Sequence, residues 1–518
     1  MRIIGRSVLR FLRTLMSFVV MINFFGLRTS QAQQATVQAP PLNSPTRIPP
    51  APAPALLPLD DTFLQWKLSP ADQKYAAIDG KHLKAYVEEQ SAISRRYRDA
   101  NHKLWGRIIG AESDAEDARW LMEKFRLAGL SDVHTQSFDL PPQWMPDSWS
   151  VTASAGGKDL QLESAQPAYL APGLPPEGLD LQIVYAGLGS AADFQGRDVR
   201  GKAVLLFSMP QPDSAWNSAA SEGAVERAVS MGAAAIFVVI AVPGNFRMQI
   251  YPAGDKVPAF SLGSDDANAL RNLIAAAPAG QAPRIKMHLD VKMVSGLKTA
   301  TVWGSLPGMT DETIYIVAHR DGWFEGANDN GTGVATMIGL AEHFAKIPRE
   351  QRRRTIIFLG TSGHHNGSAP SGEWLAHHKE IFEKTAIIIN CEHTAGIQAD
   401  LRGPGIRKAN QTGAFTWYVG GSRRLSDIVI GAYRDFGVVT YVEPERGAGG
   451  EMGPFYKHAP SLQLLQGGVY FHSDQDTPDT VPYAGLAAST RAYAKIIDQV
   501  NLLGLDDLQR PASAGNPR

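Results

Sequence analysis

The chain has 518 residues, 44% of them apolar and 19% charged, with a formal net charge of −1. The length predicts about three domains, or two with one large, and ample material for packed cores. A charged fraction below the usual ~25% excludes a charge-rich disordered protein, and the near-neutral balance excludes recruitment of nucleic acid or anionic membrane by a global field. A single cysteine, Cys391, excludes intrachain disulfides, cysteine-rich zinc modules and thiol redox pairs. The thirteen histidines are unevenly placed, with nine of them between His319 and His472.

Taken in chain order, residues 1–32 carry Arg2, Arg6, Arg10, Arg13 and Arg28 and no acid, with an apolar run from Leu15 to Leu27 and small residues at Ser30 and Ala32. This is the layout of a secretory signal peptide, and it predicts a secreted or periplasmic protein. The run is shorter than the ~20 residues that span a bilayer, so no stable membrane insertion is expected after cleavage. Loss of those five arginines takes the formal charge from −1 to −6. Residues 33–62 read as a proline-rich tether, with eight prolines between Pro40 and Pro58. Residues 63–148 form a first folded part, with a helix expected over 115–130, where apolar residues recur at helical spacing, and a strand over 133–140.

The texture changes near Trp149. Residues 149–298 are rich in Gly, Ala and Pro and contain the buried-type strands 183–185, 202–207 and 234–240, a helix over 219–231 and the extended segment 257–260. No cluster of His, Asp and Glu occurs there, so this part is expected to be non-catalytic. From 299 to 505, strands (314–318, 355–360, 386–390, 461–465) alternate with helices (334–345, 372–378, 422–436, 484–503). Alternation of this kind predicts an α/β sheet covered on both faces, with sites past the carboxyl ends of its strands. Residues 506–518 read as a loose tail.

The candidate chemistry sits at those strand ends. His319-Arg320-Asp321 follows the first strand, and Gly326-Ala327-Asn328-Asp329-Asn330-Gly331 leads into a helix. Gly363-His364-His365-Asn366 follows the second strand, Asn390-Cys391-Glu392-His393 the third, and Phe471-His472-Ser473-Asp474-Gln475-Asp476 the last. A zinc pair needs two or three ligands per ion and one bridging carboxylate. His319, Asp329, Glu392, His472 and one of His364 and His365 would suffice. Asp321 would fix the orientation of His319, and Asp476 that of His472.

In this order the segments HRD, GANDNGTGVA, NCEHTAG, GGEMGPF and SLQLLQGGVYFHSDQDTPDTV resemble those of co-catalytic zinc metallopeptidases of the aminopeptidase and glutamate-carboxypeptidase type, metallopeptidase family twenty-eight. The resemblance covers about 75–145 and 300–503. It implies a three-layer α/β/α sandwich with a mixed, mostly parallel sheet, and residues 149–298 resemble an inserted β-rich protease-associated domain. It further implies a peptide or amide substrate and two zinc ions, with one possible. One ion would be held by His319, Asp329 and Glu392, the other by Asp329, His365 and His472.

The sequence departs from the family at one pair. Where members carry two glutamates, a general base and a ligand, this chain has His364 and His365. His365 is expected as ligand and His364 as base, with Asp321 as the further catalytic residue and Glu325 or Glu373 as substitute bases. Trp323, Phe324, Trp417 and Tyr418 are candidates for a pocket wall or for core packing, and Arg320 and Arg446 for a substrate carboxylate or plain surface. The functional expectation is a secreted zinc-dependent exopeptidase. The alternatives are an inactive peptidase-fold binding protein and a single-zinc transferase resembling glutaminyl cyclases.

Overall fold

The computed structural model describes residues 66–509 apart from 209–222, 252–255, 368, 403–404 and 442. The expected signal peptide, the proline-rich tether and the end of the tail lie outside the described residues. Among the described residues no helix is long and apolar enough to cross a membrane.

Two large sheets organise the described chain. In chain order their main strands are β1 (Ser131–Asp139), β2 (Gln143–Ala155), β3 (Leu179–Tyr185), β4 (Ala203–Ser208), β5 (Ala235–Ile240), β6 (Ala259–Leu262), β7 (Arg284–Val294), β8 (Lys298–Leu306), β9 (Thr313–His319), β10 (Thr355–Thr361), β11 (Thr385–Cys391), β12 (Thr416–Gly420) and β13 (Ser461–Leu465). The first sheet has seven strands in the order β12-β13-β11-β9-β10-β8-β1. Its centre, β13-β11-β9-β10, is parallel, and antiparallel strands complete both edges.

The central strands are apolar at nearly every position, as a sheet buried on both faces requires. Their side chains alternate between two cores. Ile314, Ile316 and Ala318 of β9 join the core formed with α1 (Gly80–Asp99), α2 (Glu112–Leu127), α3 (Gly333–Ala345), α4 (Arg423–Asp435) and α5 (Tyr483–Val500). Tyr315 and Val317 join the opposite core, built on Trp374, Leu375, Phe382, Met452 and Phe455. This is the expected three-layer α/β/α arrangement. Helix α1 aside, each of these helices falls on an expected position.

Helix α1 has no counterpart among the expected elements. Its buried face includes Gln90, Ser91 and Ser94 beside Leu83, Val87 and Ile93, so the apolar period is diluted. Asp79 caps it by accepting from the N–H groups of Lys81 and His82. At the other end of the chain the loose tail expected from 506 is anchored through 508. Leu505–Leu508 forms a helical turn, Leu508 is buried and its carbonyl accepts from Ser422 N–H at 2.7 Å.

The second sheet takes its eight strands from 143–294, with β3-β4-β5-β6 parallel and the long antiparallel ribbon of β2 and β7 beside them. The chain leaves the first sheet from β1 and returns on β8. Asp139 and Lys298 are register partners there, and their side chains pair at 2.8 Å. Entry and exit are therefore adjacent, and 143–294 closes on a core that also takes in Val469 and Tyr470, without breaking the first sheet.

Candidate metal centre

Each of the four parallel central strands carries a site segment past its carboxyl end. His319 is the last residue of β9. Its Nδ1 lies 3.2 Å from the Asp321 main-chain carbonyl and 3.7 Å from that residue's carboxylate, which leaves Nε2 to face inward. After β10 the chain makes one 3-10 turn, His364–Asn366, bracketed by Gly363 and Gly367 at φ 83° and 86°. L side chains rarely adopt that conformation. The Asp321 carboxylate accepts the main-chain N–H groups of His364 and His365, both at 3.2 Å, and so fixes this turn. After β11 come Glu392 and His393. After β13 comes His472, whose main-chain carbonyl accepts from Gln249 N–H at 2.8 Å.

Asp329 sits at the centre, in the loop before α3. The Asp476 carboxylate accepts the N–H groups of Asn328 and Asp329 at 2.8 and 3.0 Å, so it shapes this loop rather than orienting His472. Asn330 donates to the carbonyls of His319 and Cys391 at 3.1 and 3.0 Å, tying the loop to two strand ends. From α1, Gln90 donates to the Gly331 carbonyl at 3.1 Å.

The two oxygens of Asp329 face different imidazoles. Oδ1 lies 3.4 Å from His319 Nε2 and 3.0 Å from His393 Nε2. Oδ2 lies 3.3 Å from His365 Nε2 and 3.0 Å from His472 Nε2. Glu392 Oε1 completes the His319 side at 3.9 Å from His319 Nε2. All six residues are buried.

His364 stands beside this set, 18% exposed, with its ring stacked on His319 at 4.1 Å. Its Nε2 is 3.6 Å from Glu392 Oε1 and its Nδ1 is 3.3 Å from Oε2 of the buried Glu451. Glu451 also accepts from the Ser371 hydroxyl, and its N–H donates to Glu392 at 2.9 Å. Gly450, at φ 57°, makes that approach possible, since a Cβ there would meet the Glu392 carboxylate.

Burial opposes charge at His364, His365, His472, Asp329, Glu392 and Asp476, and at His364, Asp329 and Glu392 the neighbours outweigh it. His365 and His472 are held below the usual imidazole range by burial. His364 is pulled down by burial but pushed up to about 10 by Glu392 and Glu451. Burial raises Asp329, yet His393 and His472 bring its carboxyl well below the usual range, and His364 and His319 lower Glu392 in the same way. Burial lifts Asp476 to about 7.

These donors fit a metal. Two ligand atoms 2.0–2.1 Å from one zinc ion at tetrahedral angles lie about 3.4 Å apart, and the contacts around Asp329 lie at or just below that value, at 3.0–3.4 Å. His319, Asp329 and His365 form one group, and His319, Glu392 and His393 another, in which the donor atoms all lie within 4.8 Å of one another. His319 Nε2, Asp329 Oδ1 and both ring nitrogens of His365 are buried without a hydrogen bond, a condition that a bound cation relieves.

The structure thus brings together His319, Asp329, His364, His365, Glu392 and His472, with Asp321 directly behind them. It removes other candidates. Glu325 is paired with Arg95 at 2.7 Å, and Glu373 is exposed on its helix. Arg320 is buried in ion pairs with Asp114 and Asp117 at 2.6 and 3.3 Å, and Arg446 is exposed. Trp323 lines the site, stacked on His365 at 4.4 Å. Phe324 and Trp417 belong to hydrophobic cores, and Tyr418 is buried edge-on against Tyr456.

Four residues went unassigned in the sequence. His393 stands beside Glu392 in a motif already singled out, and Glu451 is the one acid of another, GGEMGPF. Tyr169 and Tyr251 come from the second sheet's region and carry no local signal. Tyr251 donates to the His365 carbonyl at 3.2 Å, and Asn366 donates to the Tyr169 hydroxyl at 2.8 Å.

Residues 301–497 match the model of Peptidase family M28. Aminopeptidase YwaD of Bacillus subtilis is 26% identical over 259 residues, 49% of this chain and 50% of that protein, so the chain spans about half the length of this curated relative. A solved zinc aminopeptidase from Bacillus subtilis superposes with a TM-score of 0.59 at 19% identity, covering 84% of this chain and 98% of its own. A peptidase M28 precursor from Shewanella amazonensis SB2B superposes with a TM-score of 0.66 at 18% identity, covering 85% and 97%.

Proposed function

We propose that this chain, a metallopeptidase-like hydrolase that belongs to the zinc-aminopeptidase type of peptidase family M28 through residues 301–497, is a secreted exopeptidase acting on peptide or amide bonds with a pair of zinc ions. The observation that carries this reading is the Asp329 carboxylate, each of whose oxygens faces two buried imidazoles at 3.0–3.4 Å. His319 and Glu392 would hold one ion with Asp329, and His365 and His472 the other. Zinc bound there supplies Lewis acidity toward a carbonyl, a more acidic water, and positive charge that opposes protonation of His364.

His364 is the base. Its Nε2 takes the proton of the attacking water and delivers it to the nitrogen of the leaving amine as the C–N bond breaks. Glu451 holds Nδ1, so the ring keeps one tautomer and one orientation. The carboxylate that the family carries in the base itself is thus moved behind an imidazole. Asp321 acts through the main chain of the His364–Asn366 turn. Trp323, Tyr169 and Tyr251 wall the approach, the last two from the region we read as a protease-associated insert, residues 149–298. Residues 1–32 are read as the secretory leader.

The test is a screen of the chain from residue 33 onward, purified with zinc, against aminoacyl anilides and short peptides. Turnover that a chelator abolishes and zinc restores is expected. Absence of any chelator-sensitive turnover overturns the proposal.

A further inference from the structure

The resemblance to known metallopeptidases assigns three protein donors to each ion, and on the His319 side a fourth donor is present. His393 Nε2 is 3.0 Å from Asp329 Oδ1, the same oxygen that His319 Nε2 faces at 3.4 Å. The donor atoms of His319, Glu392 and His393 lie within 4.8 Å of one another.

The placement of His393 is otherwise costly. The ring is 2% exposed, and neither nitrogen makes a hydrogen bond. A buried polar group without a partner is unfavourable. The backbone is left-handed at φ 49°, a region L side chains seldom occupy. The structure nevertheless secures this turn, because Asn330 Oδ1 accepts the His393 N–H at 3.0 Å, and the ring packs edge-on against Phe471 at 5.1 Å. A cationic ligand between His393 and its neighbours accounts for both costs. Across the carboxylate, Oδ2 faces, among the described residues, the imidazoles of His365 and His472.

We propose that His393 is a fourth protein ligand on the His319 side. One ion is then enclosed by His319, Asp329, Glu392 and His393. The other is held by Asp329, His365 and His472 and keeps a position open to water or substrate. Four protein donors are the mark of a closed, structural zinc site, and three that of an open, catalytic one. The pair is thus divided in labour by a single added imidazole. This inference rests on the two-ion reading above.

The experiment titrates chelator-stripped protein with Zn²⁺ and with Co²⁺, reading stoichiometry by elemental analysis and coordination by the visible spectrum of cobalt. Wild type is compared with His393→Ala and with the volume-conserving His393→Phe, with melting curves showing that each is folded. Wild type is expected to bind two ions. Both variants are expected to weaken one of them by at least about tenfold, to leave the other unchanged, and to alter the cobalt spectrum of the weakened site alone. Two ions bound with unchanged affinity and spectrum in a folded variant would overturn the role of His393 and leave the function intact. Fewer than two ions in wild type would overturn the two-ion reading itself.

Discussion

The two sheets of this chain use the same parallel unit for different ends. Strands β4, β5 and β6 of one and β9, β10 and β11 of the other are buried almost throughout and similarly apolar. Past the strand ends they part. In the first sheet the chain continues into His319, His364-His365 and Glu392-His393. In the second, no histidine occurs between the end of β3 and the start of β7. The second sheet's strand-end loop is used as a brace instead. The loop after β5 brings Arg247, Met248, Gln249 and Tyr251 against the His365 and His472 segments, with Asp474 N–H donating to the Arg247 carbonyl at 3.0 Å and Met248 bridging to Ser473. Sheet geometry thus supplies a place for a site, and the residues after each strand decide whether that place holds chemistry or supports a neighbour's.

This contrast can be broken from either side. His364→Gln keeps the volume and removes the proposed base. It is expected to lower kcat by about 10²–10⁴-fold with zinc stoichiometry and melting temperature unchanged, as read by steady-state kinetics and calorimetry. A variant with wild-type kcat would show that the proton is handled elsewhere. Leu205→Ala, in the core of the second sheet, is expected to do the reverse. Its side chain is fully buried, so stability should fall by about 2–5 kcal/mol, measured by urea unfolding, while the folded protein keeps its metal content.

Two smaller substitutions sharpen the comparison. Glu451→Gln leaves His364 in place without its anionic partner, and kcat is expected to drop about 10–100-fold with KM little changed. Equal kcat in the variant would reduce Glu451 to a packing residue. Tyr251→Phe cuts one hydrogen bond from the second sheet's region to the His365 carbonyl. A cost of about 0.5–1.5 kcal/mol is expected, seen as a kcat/KM lowered by roughly 2- to 13-fold at unchanged metal content. No change in kcat/KM would show that the brace does not reach the reaction.

Much of the fold was legible because its central strands are uniformly apolar. Ser461–Leu465 has the expected bounds, and the other three central strands lie within a residue of theirs. The long ribbon β2 and β7 was missed because one side of it is partly exposed and its sequence is mixed. Helix α1 was missed because polar residues occupy its buried face. The aspartate and histidines around the site were legible as residue types at strand ends. Their pairing was not, because adjacent residues such as Glu392 and His393 differ in role only through the direction in which each side chain leaves the turn.

By itself the sequence determined the sheet, the strand ends that carry the candidate residues and the His364-His365 pair at one of them. Only the tertiary structure decided which carboxylate stands behind that pair. Glu451 lies 87 positions from His364 and yet 3.3 Å from its ring. Sequence order holds no information about that distance. It is fixed by the packing of the Gly450–Met452 turn against the end of β9 and by the hydrogen bond from Glu451 N–H to Glu392. The same holds for Tyr251, which reaches the site only because residues 143–294 leave and re-enter the first sheet at adjacent positions.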